Sequence, residues 1–521
     1  MDTKALRQKI LDLAIRGKLV PQDPNDEPAS VLLGRIRQQK QQMVKEGKLK
    51  PKDIKNDSVI FVGEDNLHYE KFADGSVKYI EDEIPFDLPE GWEWVRLGSV
   101  GDMTLGKMLD VTKNKGTLRP YLRNINVRWG AFELSDVLEM RFEDDELERY
   151  SIRHGDLVIC EGGEPGRCAV WQSEEVVFYQ KALHRVRAIE VLPEFLYYVI
   201  RHFIISNQYE RYYTGTTIKH LTGQSLRIIP IPLPPLNEQK LIVEHLQRII
   251  EEIDKIETEK TEALSLVSFA KSKILDLAIR GQLVPQDPDD EPASVLLERI
   301  RAEKEELIKQ GKIKRNKKES IIFRGEDNSY YVRQDTHMES IDEQFIFELP
   351  DNWEWCSLLN IAKIELGKTL DSAKNIGTNY PYLRSVNVRW NEVDLSDLKE
   401  MRFEPEELDR YTVRHNDLLI CEGGDVGRSC VWTDEKEILY QNALHRVRFY
   451  GGCNPFYFMY YMMYYESCGI IKALCKGVTI KHLTGNVLSL IPFALPPIEE
   501  QDRIVKRLNR IFVLLDSIIC D

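Results

Sequence analysis

The sequence predicts an α+β protein with two mixed, mostly β domains separated by an antiparallel pair of long helices. Three observations predict this fold. Residues 10–24, ILDLAIRGKLVPQDP, return almost unchanged at residues 274–288, and further segments recur at an offset of about 261 or 262. An apolar pattern of alternating spacings 4 and 3, typical of a coiled coil, follows two Pro-Pro pairs. Short apolar–polar alternations with frequent Gly and Asn indicate strands between the helices. We therefore expect an internal repeat with pseudo-twofold symmetry.

The first helical pattern follows Pro234-Pro235. Its apolar positions are 242, 246, 249, 253 and 256, then 263, 267, 270, 274 and 277, with Lys260 as an interruption. They predict one helix from Asn237 to Ile279, with Gly281 as its C-cap and a length of about 65 Å. After the second Pro-Pro pair the pattern comprises Ile504, Leu508, Ile511, Leu515 and Ile518, and at the N-terminus it comprises Leu6, Ile10 and Leu13. The two terminal helices together rebuild the second copy, so the repeat is circularly permuted.

These patterns divide the chain into five regions. They are an N-terminal helical region 1–47, a first domain 48–233, a central helical region 234–315, a second domain 316–495 and a C-terminal helix 496–521. The segments that begin at Ser30 and Ser294 are expected to form exposed helices that lead into basic linkers. Each domain should begin with a hairpin around Gly-Glu-Asp-Asn and carry an aromatic helix near its end.

Composition restricts the class of protein. The chain has 521 residues, 42% of them hydrophobic, which suits several domains with a real core. The longest apolar stretch, from Asn454, is interrupted by Glu466, and the first ten residues lack an apolar signal core. We therefore expect a cytoplasmic protein with no membrane span. Nine cysteines without a CxxC pair suggest reduced thiols. A net charge of -14 argues against an independent DNA binder more than against a DNA-reading subunit.

Catalytic motifs are not found. An adenine methyltransferase needs a [DN]PP[FYW] loop, and Asn454-Pro455-Phe456 lacks the second proline. The string GDMTLGKM from Gly101 has Met108 where a phosphate loop needs Ser or Thr. The GGEPG and GGDVG strings follow strands and are interpreted as tight turns, and His184 and His445 as structural histidines. The sequence therefore favours a protein without its own catalytic, metal or cofactor site.

A repeated polar and aromatic set suits contacts to bases and phosphates. RPYLRNINVRW from Arg119 returns as YPYLRSVNVRW from Tyr380, and TIKHLTG occurs in both halves. Arg can bridge two guanine acceptors, Asn can pair with adenine, and Gly, Thr and Lys can hold a phosphate. Alternatively, the first group could be strand residues in salt bridges, and the second could be capped turns. The candidate contacts are Lys107, Arg123, Asn124, Asn126, Arg128, Trp129, Thr217, Lys219 and His220, and in the second half Lys368, Arg384, Asn387, Arg389, Trp390, Thr479, Lys481 and His482.

With these segments the whole chain resembles the specificity subunits of type I restriction-modification enzymes. The resemblance rests on ILDLAIRGKLVPQ, the domain starts LPEGWEW and LPDNWEW, the TIKHLTG loops, and the helix starts IPLPPLNEQ and IPFALPPIEEQ. It implies two target recognition domains, each reading one half of a bipartite site in double-stranded DNA. It also implies a non-catalytic chain on which two modification subunits and the restriction subunits assemble. S-adenosylmethionine, ATP and magnesium are then expected on those partners.

Two other classes remain as alternatives. A nuclease-methyltransferase with built-in recognition would need catalytic motifs. A coiled-coil scaffold that does not bind DNA would not need the repeated Arg, Asn and Trp residues. Because the two halves are so similar, we expect half-sites close to inverted repeats, about one helical turn apart with an unread spacer.

Overall fold

The computed structural model describes residues 2–55, 57–215, 219–315, 320–327, 329–334, 337–341, 347–371, 373, 375–475 and 482–520. The chain forms two compact units, unit 1 (Met1–Glu259) and unit 2 (Lys260–Asp521). They repeat the same elements in the same order, as the internal repeat predicts. Helix and strand are mixed in both, which confirms the α+β class.

Along the chain, the helices of unit 1 precede the strands, interrupt them before the last strand, and follow them. They are α1 (Thr3–Ile15), α2 (Ala29–Lys45), α3 (Pro51–Ile54), α4 (Pro193–Ile205), α5 (Gly223–Arg227) and the first part of α6 (Leu236–Ile279), which continues into unit 2. The strands are β1 (Val59–Val62), β2 (His68–Lys71), β3 (Val77–Tyr79), β4 (Glu93–Arg96), β5 (Gly101–Leu105), β6 (Thr117–Leu122), β7 (Val127–Arg128), β8 (Ala131–Phe132), β9 (Leu138–Phe142), β10 (Ser151–Ile152), β11 (Leu157–Cys160), β12 (Cys168–Val170), β13 (Val177–Tyr179), β14 (Leu183–Ala188) and β15 (Pro230–Leu233).

Two four-stranded sheets form the centre of unit 1. Their strand orders are β12-β11-β14-β5 and β10-β13-β6-β9. In the second sheet β6 runs parallel to β13 and antiparallel to β9. Smaller sheets pair β4 with β15, β7 with β8, and β1 with β2 and β3. The expected entry hairpin is thus confirmed, with a third strand added.

Unit 2 repeats this arrangement. Its helices after α6 are α7 (Ala293–Lys309), α8 (Leu358–Ile361), α9 (Pro405–Tyr411), α10 (Pro455–Ser467), α11 (Ile470–Leu474), α12 (Gly485–Leu490) and α13 (Ile498–Cys520). Its strands are β16 (Ile321–Arg324), β17 (Tyr330–Gln334), β18 (His337–Ser340), β19 (Glu354–Ser357), β20 (Ala362–Leu366), β21 (Thr378–Leu383), β22 (Val388–Arg389), β23 (Glu392–Val393), β24 (Lys399–Phe403), β25 (Thr412–Val413), β26 (Leu418–Cys421), β27 (Ser429–Val431), β28 (Ile438–Tyr440), β29 (Leu444–Phe449) and β30 (Pro492–Leu495). The sheet orders β20-β29-β26-β27 and β24-β21-β28-β25 match those of unit 1.

Each unit holds its own antiparallel helix pair. In unit 1, Arg7 of α1 forms ion pairs with Asp254 and Glu257, near the end of that unit's part of α6. Past the end of α1, Gln22 contacts Glu238, at the start of α6. In unit 2, Lys271 of α6 pairs with Asp516 of α13 at 2.5 Å, and Gln286 contacts Glu500 at 2.6 Å. The expected extent of α6 is confirmed almost to the residue.

The apolar seam of α6 follows the expected spacing only in part. Positions 242, 246, 253 and 267 are buried, whereas Ile256 and Leu277 are 42% and 39% exposed. Towards its end, the helix buries Leu275, Ala278 and Ile279 instead. The reason is that this end packs into the core of unit 2 and not only against another helix. In α13, Phe512 is likewise buried where Ile511 was expected.

The expectation that the segment from Ser30 is an exposed helix was wrong for one face. In α2, Leu32, Ile36 and Lys40 are buried. The Lys40 Nζ donates to the carbonyl of Gly98 at 2.9 Å and lies 2.7 Å from Asp57. Burial lowers the pKa of Lys40. The long alkyl part of the lysine allows it to cross an apolar face and still reach these oxygens.

The aromatic helices expected near the end of each domain are present as α4 and α10, and their residues form part of the core of each unit. In α4, Phe195 to Ile200 are all buried, and so are nine residues of α10. Their rings pack against the Trp residues that begin each domain, with Trp92 beside Phe195 and Trp353 beside Tyr457. No helix in the described part of the chain is long and apolar enough to span a bilayer.

Candidate nucleic-acid interface

Asn126 and Asn387 close the turns that follow β6 and β21. The Asn126 Oδ1 accepts the main-chain N–H of Arg123 at 2.9 Å, and its Nδ2 donates to the carbonyls of Glu133 and Asp136, each at 2.9 Å. Its side chain is buried, with 1% of the residue exposed. Asn387 makes the three equivalent bonds. From the sequence we expected these two residues to contact a base. The structure corrects this expectation, because their side-chain amides already form hydrogen bonds within the turn.

Arg123 and Arg384 are held in the same turns. The Arg123 Nη2 lies 2.8 Å from the carboxylate of Asp136 and 2.6 Å from its carbonyl. Arg384 makes both contacts with Asp397, at 2.7 and 2.9 Å. The hydrogen bond from Arg384 lowers the pKa of the Asp397 carboxyl group. This is the salt-bridge alternative considered from the sequence, so the expected guanine contact is corrected here too.

Lys107 and Lys368 are also internal. Both are 6% exposed, and their ammonium groups pair with Glu146 and Glu407. Lys107 also lies over the ring of Phe142 at 5.4 Å. A buried, paired lysine cannot bind a phosphate without losing that pair, so the expected phosphate contact is corrected. Lys107 instead holds the start of the loop between β5 and β6, and Lys368 holds the start of the equivalent loop between β20 and β21.

Trp129 and Trp390 are half-buried at the edge of the cores. The Trp129 Nε1 donates to Glu164 at 2.8 Å. The hydrogen bond of Trp129 and the packing of both rings leave little of either indole surface to stack on a base.

Arg128 and Arg389 are exposed, one residue before each tryptophan. In the described part of the chain neither guanidinium group has a hydrogen bond or an ion pair, although both backbones pair within short sheets. The pKa of Glu133 is lowered mainly by hydrogen bonding from Ser135, with a smaller contribution from the charge of Arg128. These two guanidinium groups are thus free to contact an external ligand, and the expected contact with DNA stays a prediction.

A glycine turn lies beside the first turn in each unit. Gly162 and Gly163 follow β11, and Gly163 has a φ of 81°, which favours glycine. A Cβ on Gly162 would lie 3.0 Å from the Nδ1 of His220, and one on Gly163 would lie 2.9 Å from the Nδ2 of Asn124. His220 is exposed and held by paired main-chain bonds with Thr214, at 2.8 and 2.9 Å. The structure therefore brings Asn124, the glycine turn and His220 together.

The segment Gln180–Ala182 extends this surface. The main-chain N–H of Lys181 donates to the carbonyl of Lys107 at 2.7 Å, and that of Glu161 donates to Ala182 at 2.9 Å. Ala182 has a φ of 133°, a strained value of the kind found at functional sites. Lys181 is exposed. Sequence reasoning missed this segment, although FYQKALHRVR and LYQNALHRVR repeat with the lysine position among their few differences.

We call this surface the turn cluster. It comprises residues 123–128, 161–167, 180–182 and 219–220 in unit 1, and 384–389, 422–428, 441–443 and 482 in unit 2. Ile125 and Val386 are exposed at its tips, at 45% and 50%, and the sequence reasoning missed them too. Lys219 belongs to it, paired with Glu210 at 3.0 Å. Thr217, Thr479 and Lys481 lie outside the described residues.

His184 and His445 lie beneath the turn cluster. The His184 Nε2 is 3.0 Å from the carbonyl of Leu221, to which it donates, and burial lowers its pKa. His445 has the same bond to Leu483 at 2.9 Å. Both are structural histidines, as the sequence predicted. Burial also raises the pKa of the Cys160 thiol to about 11, which makes it unreactive. Within the described ranges, no three His, Cys, Asp or Glu side chains form a possible metal site.

Both turn clusters fall within the segments that match a known family. The model of the type I restriction modification DNA specificity domain matches residues 89–266 and 350–518. The chain belongs to this family. The specificity subunit carries this domain twice, once in each copy of the structural repeat. Its role is DNA sequence specificity. A coiled-coil scaffold that does not bind DNA is therefore not favoured.

Two relatives match this specificity subunit over almost its whole length. It is 26% identical to the type I restriction enzyme EcoAI specificity subunit of Escherichia coli, over 98% of this chain and 88% of the relative. It is 25% identical to the EcoEI specificity subunit of the same species, over 99% and 90%. A solved chain described under complex assembly and conformational transition of the type I R-M system has a TM-score of 0.55 at 20% identity, covering 84% of this chain and 93% of that one. This last similarity supports the fold.

Proposed function

We propose that this specificity subunit reads a bipartite site in double-stranded DNA, with one half-site for each turn cluster. The half-sites are close to inverted repeats and enclose an unread spacer. The observation that carries the proposal is that Arg128 and Arg389 are both exposed. They lie on equivalent short strands of the two units, β7 and β22, each directly after the equivalent turn.

The turn cluster offers the right chemistry for a DNA groove. A free Arg can bridge the O6 and N7 acceptors of guanine or bind a phosphate. An exposed apolar tip such as Ile125 or Val386 can contact the methyl group of thymine. The exposed imidazole of His220 or His482 beside a glycine turn suits close approach of the phosphate backbone. These contacts combine positioning with base readout.

Internal hydrogen bonds and ion pairs keep the exposed groups in place. Arg123 with Asp136 and Asn126 with its three main-chain partners fix the turn from which Arg128 emerges. Lys107 and Glu146 fix the neighbouring loop. A rigid support of this kind lowers the entropy lost when the exposed side chains bind. The repeated residues that are buried therefore position the site, and those that are exposed contact DNA.

The chain works with partner subunits. Two modification subunits bind along the helix pairs formed by α1, α6 and α13, and restriction subunits join them. The modification and restriction subunits hold S-adenosylmethionine, ATP and magnesium and perform adenine methylation and cleavage, while this chain is non-catalytic. The net charge of -14 is consistent with this assembly, since the partner subunits then supply many of the contacts to the DNA phosphates.

The test is co-expression with the cognate modification subunit, followed by mapping of methylated adenines in the host DNA. We expect one bipartite motif with similar inverted halves, and no such motif when either subunit is absent. Purified specificity subunit alone should transfer no methyl group from S-adenosylmethionine. Methylation by the partner-free chain, or half-sites with no more inverted similarity than chance, would contradict the proposal.

A further inference from the structure

The two turn clusters differ at one position beside the glycine turn. In unit 1, a Cβ on Gly163 would meet the Nδ2 of Asn124 at 2.9 Å, whereas a Cβ on Gly424 in unit 2 would meet nothing within 4 Å. The residue that corresponds to Asn124 is Ser385. The asparagine amide therefore covers its glycine turn, and the shorter serine leaves the second turn open.

The backbone at this position is the same in both units. The carbonyl of Asn124 accepts a hydrogen bond from the Nη2 of Arg167 at 2.8 Å. The carbonyl of Ser385 accepts the equivalent bond from Arg428 at 3.0 Å. Each residue begins a short helical turn that ends at the buried asparagine. The difference between the units is thus confined to the side chain.

The side chain of Asn124 is available to a ligand. It is partly exposed, and its one hydrogen bond among the described residues is a long one, 3.4 Å from Nδ2 to the carbonyl of Gly162. Its Oδ1 is therefore free to accept, and Nδ2 can donate again. An asparagine amide with both groups free can pair with N7 and N6 of adenine in the major groove. A serine hydroxyl cannot make that two-point contact.

The surroundings of the position are shared. His220 and His482 are exposed beside the two glycine turns, and Arg128 and Arg389 follow the two short helical turns. Both turn clusters can therefore approach DNA in the same way while presenting a different side chain at this place, as they also do at positions 125/386, 164/425, 165/426 and 181/442.

We propose that position 124/385 sets one difference between the two half-sites. Asn124 selects adenine at one base pair of the half-site read by unit 1, and Ser385 leaves the corresponding base pair of the other half-site without that selection. This inference rests on the proposed reading of one half-site by each turn cluster. It predicts a departure from exact inverted symmetry at the base pair that faces this named position.

The experiment exchanges the two side chains in the full complex. Asn124→Ser and Ser385→Asn are each co-expressed with the cognate modification subunit, and methylated adenines are mapped. Asn124→Ser should reduce the preference for adenine at one base pair of the first half-site by about tenfold. Ser385→Asn should create an adenine preference at the matching base pair of the second half-site. Asn124→Gln, which retains an amide, should keep the original preference better than Asn124→Ser.

Matched controls separate readout from folding. Asn25→Ser changes an exposed asparagine outside the turn cluster, and Ser294→Asn changes an exposed serine on α7. Neither should alter the motif. If Asn124→Ser destabilises unit 1, Ser385→Asn decides the question, because it adds atoms beside an open turn. An unchanged motif with both exchanges would overturn the inference. Loss of all methylation with the unaltered chain would instead contradict the proposed function.

Discussion

The indole Nε1 of Trp92 donates a hydrogen bond to the buried carboxylate of Glu238 over 2.8 Å. Gln22 donates to the same carboxylate at 3.3 Å and to the carbonyl of Gly17 at 2.6 Å. Three distant segments of unit 1 thereby meet at the start of α6. They are the end of the first helical region, the first tryptophan of the domain and the Asn-Glu-Gln that follows the Pro-Pro pair.

Unit 2 repeats this junction. Trp353 donates to Glu500 at 2.9 Å, and Gln286 donates to it at 2.6 Å. The repeated LVPQ, WEW and EQ strings of the sequence are therefore explained by one buried network in each unit. Burial raises the pKa of both glutamates.

The first prediction concerns the pH dependence of unit 1. Since the pKa of Glu238 is higher in the folded state than its ordinary value of 4.5, the folded state binds a proton more readily than the unfolded one. The stability linked to this group is complete below about pH 4.5 and is lost as the pH rises through the raised pKa. Glu238→Gln should remove this dependence, so that the variant gains stability relative to wild type as the pH rises above about 4.5. Urea unfolding at several pH values measures it. The exposed Glu64→Gln is the control, and parallel wild-type and Glu238→Gln profiles would refute the prediction.

The second prediction concerns the helix pair. Leu246 is fully buried, whereas Ile249 is only partly buried. A charge at position 246 has no partner in an apolar contact, so Leu246→Asp should destabilise unit 1 by about 3 kcal/mol or more. Ile249→Asp should cost less. The same order is expected for Leu508→Asp and Ile511→Asp in unit 2. Thermal unfolding gives the order, and co-purification with modification subunits shows the loss of assembly. Equal losses at positions 246 and 249 would show that the seam has the spacing first expected from the sequence.

The third prediction concerns Asn126. Asn126→Ala removes three hydrogen bonds and leaves the main-chain N–H of Arg123 and the carbonyl of Glu133 without these partners, whereas the carbonyl of Asp136 retains its bond from Arg123. The expected cost is about 3 kcal/mol of unfolding free energy, since a buried unsatisfied group costs about 1–3 kcal/mol. Chemical denaturation measures the loss, and methylation mapping of complexes that still assemble should return an unchanged motif. A new motif at wild-type stability would restore Asn126 as a base-contacting residue.

The fourth prediction concerns Arg128. Arg128→Ala should leave the stability of unit 1 within about 0.5 kcal/mol, because the side chain is exposed and unpaired. DNA binding by the complex should weaken. If the contact is to a phosphate, the slope of log affinity against log salt should fall by about 1. If it is to guanine, about 1–3 kcal/mol of discrimination at one base pair should be lost. The exposed Arg153→Ala serves as control, and undiminished binding by Arg128→Ala would exclude the residue from the interface.

The sequence predicted the fold well because the fold depends on patterns that recur. The repeat, the extent of α6, the aromatic helices and the glycine turns all follow from spacing and composition. The seam of α6 was less predictable, since Leu275 and Ala278 are buried by elements that come later in the chain. The buried face of α2 was missed for the same reason, because Lys40 reaches carbonyls in a loop almost sixty residues away.

The site was predicted less completely. Repetition identified the right turns but could not separate residues that hold a turn from residues that extend from it. Arg123 and Arg128 stand five positions apart in the same repeated string, yet one is paired with Asp136 and the other is exposed. That difference depends on where the acidic residue of the next loop lies in space. Residue type alone does not reveal it.

A turn that is closed from beneath by Asn126 leaves its tip free to change. Asparagine and serine codons are a single nucleotide apart, so position 124 or 385 can be exchanged by point mutation while every buried partner of the turn is retained. New target preferences can then arise without passing through an unfolded intermediate variant. In evolutionary terms, the overall sequence identity between two such domains reflects the fold they share. How similar their DNA targets are has to be judged from the residues at the tips of the turns.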